Sequence, residues 1–530
     1  MVTLIRPPAA EDSFDEERAL LEVEVEVAVL EEVAAVEVID LHTHLLPPSH
    51  GNLMLWGIDD LLTYHYLVAE FFMTATNVTP AAFHALPKRE RADRIWRRLF
   101  VERLPLSEAA QGVVTTLQRL GLGAEAAARD LPAVRRWFAR QDPSAYCERV
   151  FRQAGVRYCV MTNIPFDPRE AACWRPVRRP YSPRFRSALR VDPLLAGDWL
   201  AVAAALRAAG YAETLEGARA YLRDWVETMR PEYFMASTPH DFALPPELVA
   251  GVPEMDRGGT SGRGGGGGGG GGGDDGGGGG GDTSGSGGAD GAAGGAGQHA
   301  AAGSAGGADG GSGALTGAAS TPATAIARQR GGAGGGAVGG VAVGMPPEGH
   351  RLLTEVLIPL AEELGLPLAL KFGAHRGINP ALAIGGDGMV VADVGVLRRL
   401  CACFPRVKFL ATFLARANQH EAAVLASKFA NLHLYGCWWY CNNPSIISEI
   451  TSMRLEMLGT AFTAQHSDAR VLDQLIYKWD HSRTVIAAAV AADFRRLVAA
   501  GWAVSRAEVR REVSRLFGGA YVEFMAKNLP

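Results

Sequence analysis

The sequence lacks the features that mark membrane, secreted and nucleic-acid-binding proteins. No apolar run reaches about 18 residues without a charge, so we expect no transmembrane helix. Residues 1–35 hold no cationic segment followed by an apolar stretch, and the acidic residues 11–17 are atypical of a transit peptide. With 52 Lys+Arg against 57 Asp+Glu, the chain also gives no reason to expect nucleic acid or a membrane surface as partner. We therefore expect a cytoplasmic protein without a targeting leader.

Cysteine is scarce as well. The chain has 7 cysteines among 530 residues, and none belongs to a Cys-x-x-Cys pair. An odd and scattered set of this kind indicates reduced thiols in an intracellular protein, and it excludes a disulfide scaffold.

What the chain does contain is a regular alternation of strand-like and helical segments. The first strand-like segment begins at Val36, and the others lie at Val156–Thr162, Ala188–Val191, Tyr233–Ser237, Pro367–Phe372, Val407–Phe413, Leu432–Trp438 and Thr460–Gln465. Helical patterns separate most of these eight segments. Such an alternation predicts an α/β fold, a (β/α)₈ TIM-type barrel.

Two insertions interrupt the alternation. Residues 51–150 follow the first strand and show mostly helical patterns, so we expect a helical insertion there. Residues 251–344 follow the fourth strand and consist largely of Gly, Ala and Ser, too few apolar groups for an ordered structure. We predict a disordered, low-complexity expansion there, with a functional lid as the alternative. The predicted organisation is thus an extension over 1–35 and one barrel domain over 36–530.

Two histidines at alternate positions mark the end of the first strand. Residues two apart on a strand project from the same face, so His42 and His44 can bring two imidazoles together. Pro47 and Pro48 then end the strand, which places the pair at its C-terminal mouth. Two imidazoles so placed can bind one divalent metal ion, although His-x-His also arises by chance.

A second polar pattern lies at the last predicted strand, where His466, Asp468 and Arg470 alternate. The first and last strands of a barrel are neighbours, so these side chains can share the inward face with His42 and His44. Two histidines and one carboxylate leave open positions on a metal, as catalytic zinc sites do. We predict a divalent metal, with zinc preferred, held by His42, His44 and Asp468. In the alternative, Asp468 and Arg470 simply pair with each other.

The chain also contains three longer motifs, at Leu61–Glu70, Gly436–Ser445 and Gln465–Gln474. Together they resemble the uronate isomerase (glucuronate isomerase) family of the amidohydrolase superfamily, and the similarity extends from about Val36 to the C-terminus around the glycine-rich segment. The resemblance implies a metal-dependent barrel that interconverts a hexuronate aldose and its ketose, for example D-glucuronate and D-fructuronate or D-galacturonate and D-tagaturonate. The implied partner is a small hexuronate, and a homo-oligomer is left open.

Residue by residue, the resemblance matches the predicted metal ligands and Arg470. It also matches His65 and Tyr66 to a His-Tyr pair on the helix after strand one, and Arg190 to an arginine on a barrel strand. The implied catalytic residues are Tyr66, His65, Asp468 and Arg470, and the candidate substrate-binding residues are Arg190, His466 and Trp438.

The implied isomerisation passes through an enediol and needs a base, an acid and charge stabilisation on oxygen. Tyr66 would carry the proton if a nearby cation, with Arg470 as the candidate, lowers its pKa. Asp468 would act as a base toward a hydroxyl or only as a ligand.

Other positions have structural alternatives. Trp438 and Trp439 are adjacent on a predicted strand, so at most one of them can face a sugar, and we favour core packing for both. Asn443 and Pro444 are expected to begin a helix as its N-cap and first residue. Asp40 shares a face with His42 and is a candidate partner around the metal.

The chain departs from the better-known branch of the family and resembles a second, divergent one. Leu67–Glu70 replaces a cationic continuation after the His-Tyr pair, and Lys371 stands where the other branch has a histidine. A third nitrogen ligand therefore stays open. His375 and Arg376 follow the fifth strand, where a loop can reach an anionic ligand or lie in solvent.

Two other functions compete with an isomerase. A metal-dependent hydrolase of the same superfamily would use the same His-x-His and Asp, with Lys371 as a bridging residue between two metals. The middle strands offer no further pair of histidines for a second metal. A non-catalytic barrel that recruits partners through its glycine-rich loop is the third possibility, and the retained site residues argue against it.

Overall fold

A curled parallel sheet of seven strands forms the centre of the structure, a computed structural model that describes residues 18–174, 183–244 and 351–530. The strands are β1 (Val38–Thr43), β2 (Val156–Asn163), β3 (Phe185–Arg190), β4 (Phe234–Ser237), β5 (Leu368–Phe372), β6 (Ala374–His375), β7 (Gly388–Met389), β8 (Phe409–Phe413) and β9 (Leu432–Leu434). The parallel sheet has the order β1-β2-β3-β4-β5-β8-β9, whereas β6 and β7 form a separate antiparallel pair. Part of the predicted N-terminal extension lies outside the described residues, and so does the whole glycine-rich segment 251–344.

The eighth predicted strand, Thr460–Gln465, closes the barrel although it is irregular. Thr463 forms a parallel bridge with Tyr435, just beyond β9. At the opposite edge, the amide of Asp468 donates a hydrogen bond of 3.0 Å to the carbonyl of His42 on β1. The segment therefore joins both edge strands, and the prediction of a (β/α)₈ TIM-type barrel is confirmed.

Helices follow the strands around the outside of the sheet. In the described residues the α-helices are α1 (Glu22–Ala35), α2 (Ile58–Leu62), α3 (His65–Thr74), α4 (Pro80–Ala85), α5 (Lys88–Trp96), α6 (Glu108–Arg119), α7 (Gly123–Ala127), α8 (Leu131–Phe138), α9 (Pro143–Ala154), α10 (Pro168–Trp174), α11 (Asp192–Leu195), α12 (Trp199–Ala208), α13 (Leu215–Met229), α14 (Ile358–Leu364), α15 (Val394–Cys403), α16 (Gln419–Ala426), α17 (Pro444–Leu458), α18 (Gln474–Ala499), α19 (Arg506–Ser514) and α20 (Ala520–Ala526). Helices α2 to α9 all lie between β1 and β2, so the predicted helical insertion is confirmed.

Local sequence signals set several helix ends. Asn443 caps α17, because its side chain accepts a hydrogen bond from the amide of Ile446, and Pro444 is the first helical residue as predicted. Helix α9 ends at Gly155, whose φ of 64° is the left-handed conformation that glycine adopts without steric cost. Strand β2 starts at the next residue.

The barrel interior is apolar at the amino ends of the strands and polar at their carboxyl ends. Ile39 and Leu41 of β1 belong to an interior cluster with Tyr158, Val160 and residues of five further segments. Tyr521 and Phe524 of α20 pack against this cluster. The polar mouth formed by the carboxyl ends is where a barrel of this type places its site.

None of the helices in the described part of the chain is long and apolar enough to cross a membrane.

Deletion of residues 251–344 is a test of the predicted single domain. The described strands on either side, β4 and β5, pair directly with each other, and the amide of Thr238 donates to the carbonyl of Lys371 at 2.9 Å. Joining the ends with a short linker should therefore change the free energy of unfolding by less than about 1 kcal/mol, since loop length enters only logarithmically. Chemical denaturation of the full-length and deleted proteins measures this difference. A loss of several kcal/mol would show that the segment contributes to the fold.

Candidate metal centre and active-site cavity

The two histidines of β1 approach one carboxylate oxygen. His42 lies inside the strand and is fully buried, whereas His44 follows the last strand residue, Thr43. Their Nε2 atoms lie 3.0 Å and 3.4 Å from Oδ1 of Asp468. The two rings stand almost perpendicular, with centroids 5.1 Å apart. The predicted convergence of these three side chains is present in the structure.

Asp468 owes its position to a network of backbone hydrogen bonds. Its φ is +50°, a left-handed conformation that Asp and Asn tolerate better than most residues. The preceding amide, of Ser467, donates to Oδ1 of Asp40 at 3.0 Å, and Trp479 Nε1 donates to Oδ2 of Asp40 at 2.9 Å. Asp40 therefore holds the chain beside the metal centre and does not contact the ring of His42, which is a refinement of its predicted role.

The donor set fits a divalent metal ion. One ligand atom from each of His42, His44 and Asp468 lies within 4.8 Å of the others. Thr162 Oγ1 donates to the carbonyl of Thr43 at 3.1 Å, so it can only accept from His44 Nδ1, at 2.9 Å. This contact places the proton of His44 on Nδ1 and leaves the lone pair of Nε2 for a metal.

The protonation states of the ligands also suit a metal. Burial is the main cause that lowers the pKa of His42, to about 4, and that of His44 well below its usual value. Burial alone would raise the pKa of Asp468, but the Lys371 ammonium and the two histidines hold it well below its usual range. Neutral imidazoles and an ionised carboxylate are the forms that bind a metal.

Replacement of Thr162 by valine tests the role of the tautomer. The change removes the acceptor for His44 Nδ1 and should weaken zinc binding about 10- to 100-fold, which is the usual effect of losing such an outer hydrogen bond. Competition with a fluorescent zinc chelator measures the dissociation constant. Thr412→Val is the matched control, because Thr412 is also a fully buried threonine on a barrel strand and its hydroxyl has no partner among the described residues. Equal zinc affinity in the two variants would contradict the proposed function of Thr162.

Lys371, on β5, completes the centre. Its Nζ contacts His42 Nε2, lies 3.4 Å from Asp468 Oδ1 and stands 4.3 Å from the ring centroid of Trp438. Burial lowers the pKa of Lys371 to about 7, against the opposing effect of Asp468. The sequence offers this lysine as a bridge in a two-metal hydrolase and as the residue in place of a histidine of the other branch, whereas the structure places it directly on the predicted ligands.

A cavity that is partly open to solvent lies above this centre. Its walls are formed by ten residues, namely His44, His65, Arg190, Ser237, Lys371, Arg376, Trp438, Trp439, Asp468 and Arg470. The structure thus brings together at one cavity most of the side chains that the sequence offers as catalytic or substrate-binding.

The three arginines of the cavity wall differ in their partners. Arg190 pairs with Asp192, and Arg376 pairs with Asp387 at 2.5 Å. Arg470 forms no ion pair with any carboxylate in the described part of the chain, so the alternative in which it simply pairs with Asp468 is wrong. A half-buried cation that forms no ion pair of its own is available to an anionic ligand.

Both tryptophans of the Gly436–Ser445 motif line the cavity, so the expectation that at most one can face it is wrong. The expectation assumed a strand up to Trp438, but β9 ends at Leu434. Trp439 has a φ of +46° at the start of a short 3₁₀ turn, and this conformation abolishes the alternation of a strand. Trp438 therefore stays a candidate for substrate binding, and Trp439 joins it.

The predicted helix after strand one is broken, and the break exposes His65 to the cavity. Tyr64 adopts an extended conformation between α2 and α3, so His65 is the first residue of α3. Tyr66 is not among the lining residues; its ring packs behind them, with its centroid 4.6 Å from that of His65 and 6.4 Å from that of Trp439.

The interpretation that Arg470 lowers the pKa of Tyr66 is wrong. Burial, followed by the charges of Tyr64 and Asp468, raises the pKa of Tyr66 well above its usual value. The charge of Arg470 instead lowers the pKa of Tyr64, but burial has the larger effect and raises that pKa. Tyr66 is therefore a phenol at neutral pH and a weaker acid than an exposed tyrosine.

His466 lies beneath the metal centre and outside the cavity wall. It is fully buried, with its ring centroid 5.2 Å from that of His42 and 5.3 Å from that of Tyr435. Neither ring nitrogen has a hydrogen-bond partner among the described residues. Gly436 makes room for this ring, because a Cβ there would meet His466 Cδ2 at 1.9 Å.

Sequence reasoning missed Thr162, Ser237 and Trp439. Thr162 and Ser237 stand at the carboxyl ends of β2 and β4, the positions where barrel enzymes place their functional side chains. That position was the available signal for both. Trp439 gave no such signal, because its orientation depends on an irregular backbone.

Comparison with known proteins follows from this geometry. No protein-family model and no curated protein matches the chain. The structure is similar to the crystal structure of a uronate isomerase from Bacillus halodurans C-125, with a TM-score of 0.73 and 35% sequence identity over 96% of this chain and 98% of the other. It is also similar to a uronate isomerase from Thermotoga maritima (TM-score 0.61, 12% identity, 95% of this chain and 97% of the other) and to a glucuronate isomerase from Caulobacter crescentus (TM-score 0.60, 14% identity, 99% and 98%). The last two similarities concern the fold alone.

Proposed function

The chain belongs to the uronate isomerase family, and from this premise we propose how its cavity interconverts the aldose and ketose forms of a hexuronate. The reaction moves a proton between C2 and C1 through an enediol. It therefore needs a proton acceptor, a proton donor and positive charge near the developing oxyanion.

The charge of the cavity wall is the observation that carries the proposal. Three arginines and Lys371 surround the cavity, and Asp468 is the one carboxylate among the lining residues. A hexuronate brings a carboxylate of its own, which such a surface binds with charge-assisted hydrogen bonds. Arg190 and Arg470, which both line the cavity, are the residues that we propose to hold its anionic oxygens.

The protonation states divide the acid–base roles. Asp468 is ionised and can accept a proton from a substrate hydroxyl. Burial lowers the pKa of His65, whose neutral ring faces the cavity, so its free Nε2 can also accept a proton. Tyr66 is protonated, and its ring packs against that of His65 directly behind the wall. We propose that Tyr66 keeps its proton and supports His65 from behind, and that Arg470 stabilises negative charge on oxygen.

Zinc is the metal that we propose for His42, His44 and Asp468. Two imidazoles and one carboxylate suit a borderline-soft ion and leave positions open. Bound there, it would polarise substrate oxygens as a Lewis acid. We also propose a cytoplasmic location, since none of the seven cysteines forms a disulfide bond in the described part of the chain.

Incubation of the purified protein with D-glucuronate and with D-galacturonate in deuterated water tests the reaction. Ketose should form from at least one sugar, and deuterium should enter at carbon, since the enediol path passes the proton through a protein group. Metal analysis of the same sample accompanies the assay. Absence of ketose from both sugars, with metal in the site, would overturn the proposal and favour a hydrolase.

A further inference from the structure

Lys371 contacts the same atoms that a metal ion requires. Its Nζ meets His42 Nε2 and lies 3.4 Å from Asp468 Oδ1, and both atoms belong to the predicted ligand set. A hydrogen bond from Nζ uses the lone pair of His42 Nε2 that a metal would use. The side chain is almost completely buried, with 2% exposed, so its position is fixed by packing and not by chance on a surface.

We propose that Lys371 competes with the metal for His42 and Asp468 and that it moves aside when the metal binds. The Lys371 ammonium and a metal ion cannot both lie between His42 and Asp468, because their charges repel and both require the same ligand lone pairs. The lysine is therefore a positioning residue that weakens metal binding in this chain. The inference rests on the proposed metal centre and not on the isomerase reaction.

One contact of the ammonium can persist when a metal displaces it from His42. Its Nζ already stands 4.3 Å from the ring centroid of Trp438, a distance suited to a cation–π contact. Lys371 and Trp438 both line the cavity. An ammonium that leaves His42 for the face of Trp438 would remain in the cavity wall, where it can donate to a bound oxygen.

Lys371→Met tests the competition. The variant keeps the length and volume of the side chain but removes its donor and its charge, so its dissociation constant for Zn²⁺ should fall at least about tenfold. Chelator competition at one fixed pH measures this constant, and the visible spectrum of Co²⁺-loaded protein shows whether the coordination is the same. The readout is metal binding, so it does not depend on any sugar being turned over.

Lys478→Met is the matched control. Lys478 is also a buried lysine near the site, with 1% exposed, but its Nζ stands over the rings of Tyr66 and Tyr477 and contacts none of the three ligands. Its zinc affinity should stay within about twofold of that of the unmodified protein, as expected for a charge outside the ligand shell. An equal gain in both variants would show a general effect of net charge and would overturn the proposal.

A zinc-loaded crystal structure of the unmodified protein tests the displacement even if the variant does not fold. Nζ of Lys371 should lie beyond hydrogen-bond distance of His42 Nε2 in that structure. Unchanged or weaker zinc binding in Lys371→Met, or a lysine still bonded to His42 beside the zinc, would overturn the proposal. Absence of zinc binding by both proteins would overturn the proposed metal centre together with it.

Discussion

Replacement of Asp468 by asparagine is expected to abolish zinc binding and to lower kcat/KM by at least about a thousandfold, the upper range for loss of a catalytic acid–base group. Asparagine is the most discriminating substitution, because it tolerates the left-handed backbone that Asp468 adopts at φ +50°. The backbone bond to His42 can therefore persist, and the change is confined to the loss of the carboxylate charge. Asp468 contributes that charge to the two histidines and to Lys371 at once.

Metal analysis and steady-state kinetics check this result, with circular dichroism to confirm the fold. Asp387→Asn is the control, because Asp387 pairs with Arg376 of the cavity wall but does not belong to the predicted ligand set. It should retain its zinc. Full metal content in the Asp468 variant, or activity within about tenfold of the unmodified protein, would contradict the metal centre, because loss of a ligand or base costs more.

The architecture was predictable because its signal is local and repeated. Each barrel strand is a short apolar run with helical periodicity after it, and that pattern does not depend on distant residues. Strand ends were less certain: the predicted segment Leu432–Trp438 stops at Leu434, where Gly436 takes a φ of +67° to accommodate His466. A steric demand from another part of the chain therefore decides where β9 ends.

The convergence of the three candidate metal ligands was predictable for a similar reason. His42 and His44 follow from strand periodicity, and Asp468 follows from the adjacency of the first and last strands of a barrel. The contacts that other strands make with these ligands were not predictable, because they depend on a register that the sequence does not display. Thr162 and Lys371 are examples, each placed by strand pairing.

Electrostatic interpretation from sequence was least successful. The sequence analysis expected Arg470 to lower the pKa of Tyr66, because both residues belong to motifs of the predicted active site. In the structure, burial and the neighbouring Tyr64 and Tyr477 raise the pKa of Tyr66. The sequence does not show how deeply each titratable side chain is buried. Desolvation is nevertheless the largest single influence on the pKa values of His42, His65, Lys371 and Asp468.

Arg470 is expected to show opposite effects on activity and on stability when its charge is removed. It lines the cavity, burial lowers its pKa, and it has no carboxylate partner among the described residues. Arg470→Met should lose roughly 2–5 kcal/mol of substrate and transition-state binding, as when a buried partner of an anion is truncated. That loss corresponds to about 30-fold to about 5,000-fold in kcat/KM.

The same variant should be more stable than the unmodified protein. Desolvation of this half-buried guanidinium opposes folding and lowers its pKa, and no ion pair in the described part of the chain offsets that cost. A methionine of similar length removes the desolvation cost while it fills the space. Arg470→Lys keeps the charge but loses the planar fork, so it should lose activity about 10- to 100-fold without the gain in stability. Thermal denaturation in the absence of sugar measures the change in stability of both variants.

Arg190→Met provides the contrast that makes the result interpretable. Arg190 also lines the cavity, but it is paired with Asp192, so its loss leaves a carboxylate without its partner and should lower the Tm. We therefore expect both methionine variants to lose activity and their Tm values to move in opposite directions. A lower Tm for Arg470→Met, or full activity in that variant, would show that Arg470 supports the barrel and does not serve the substrate.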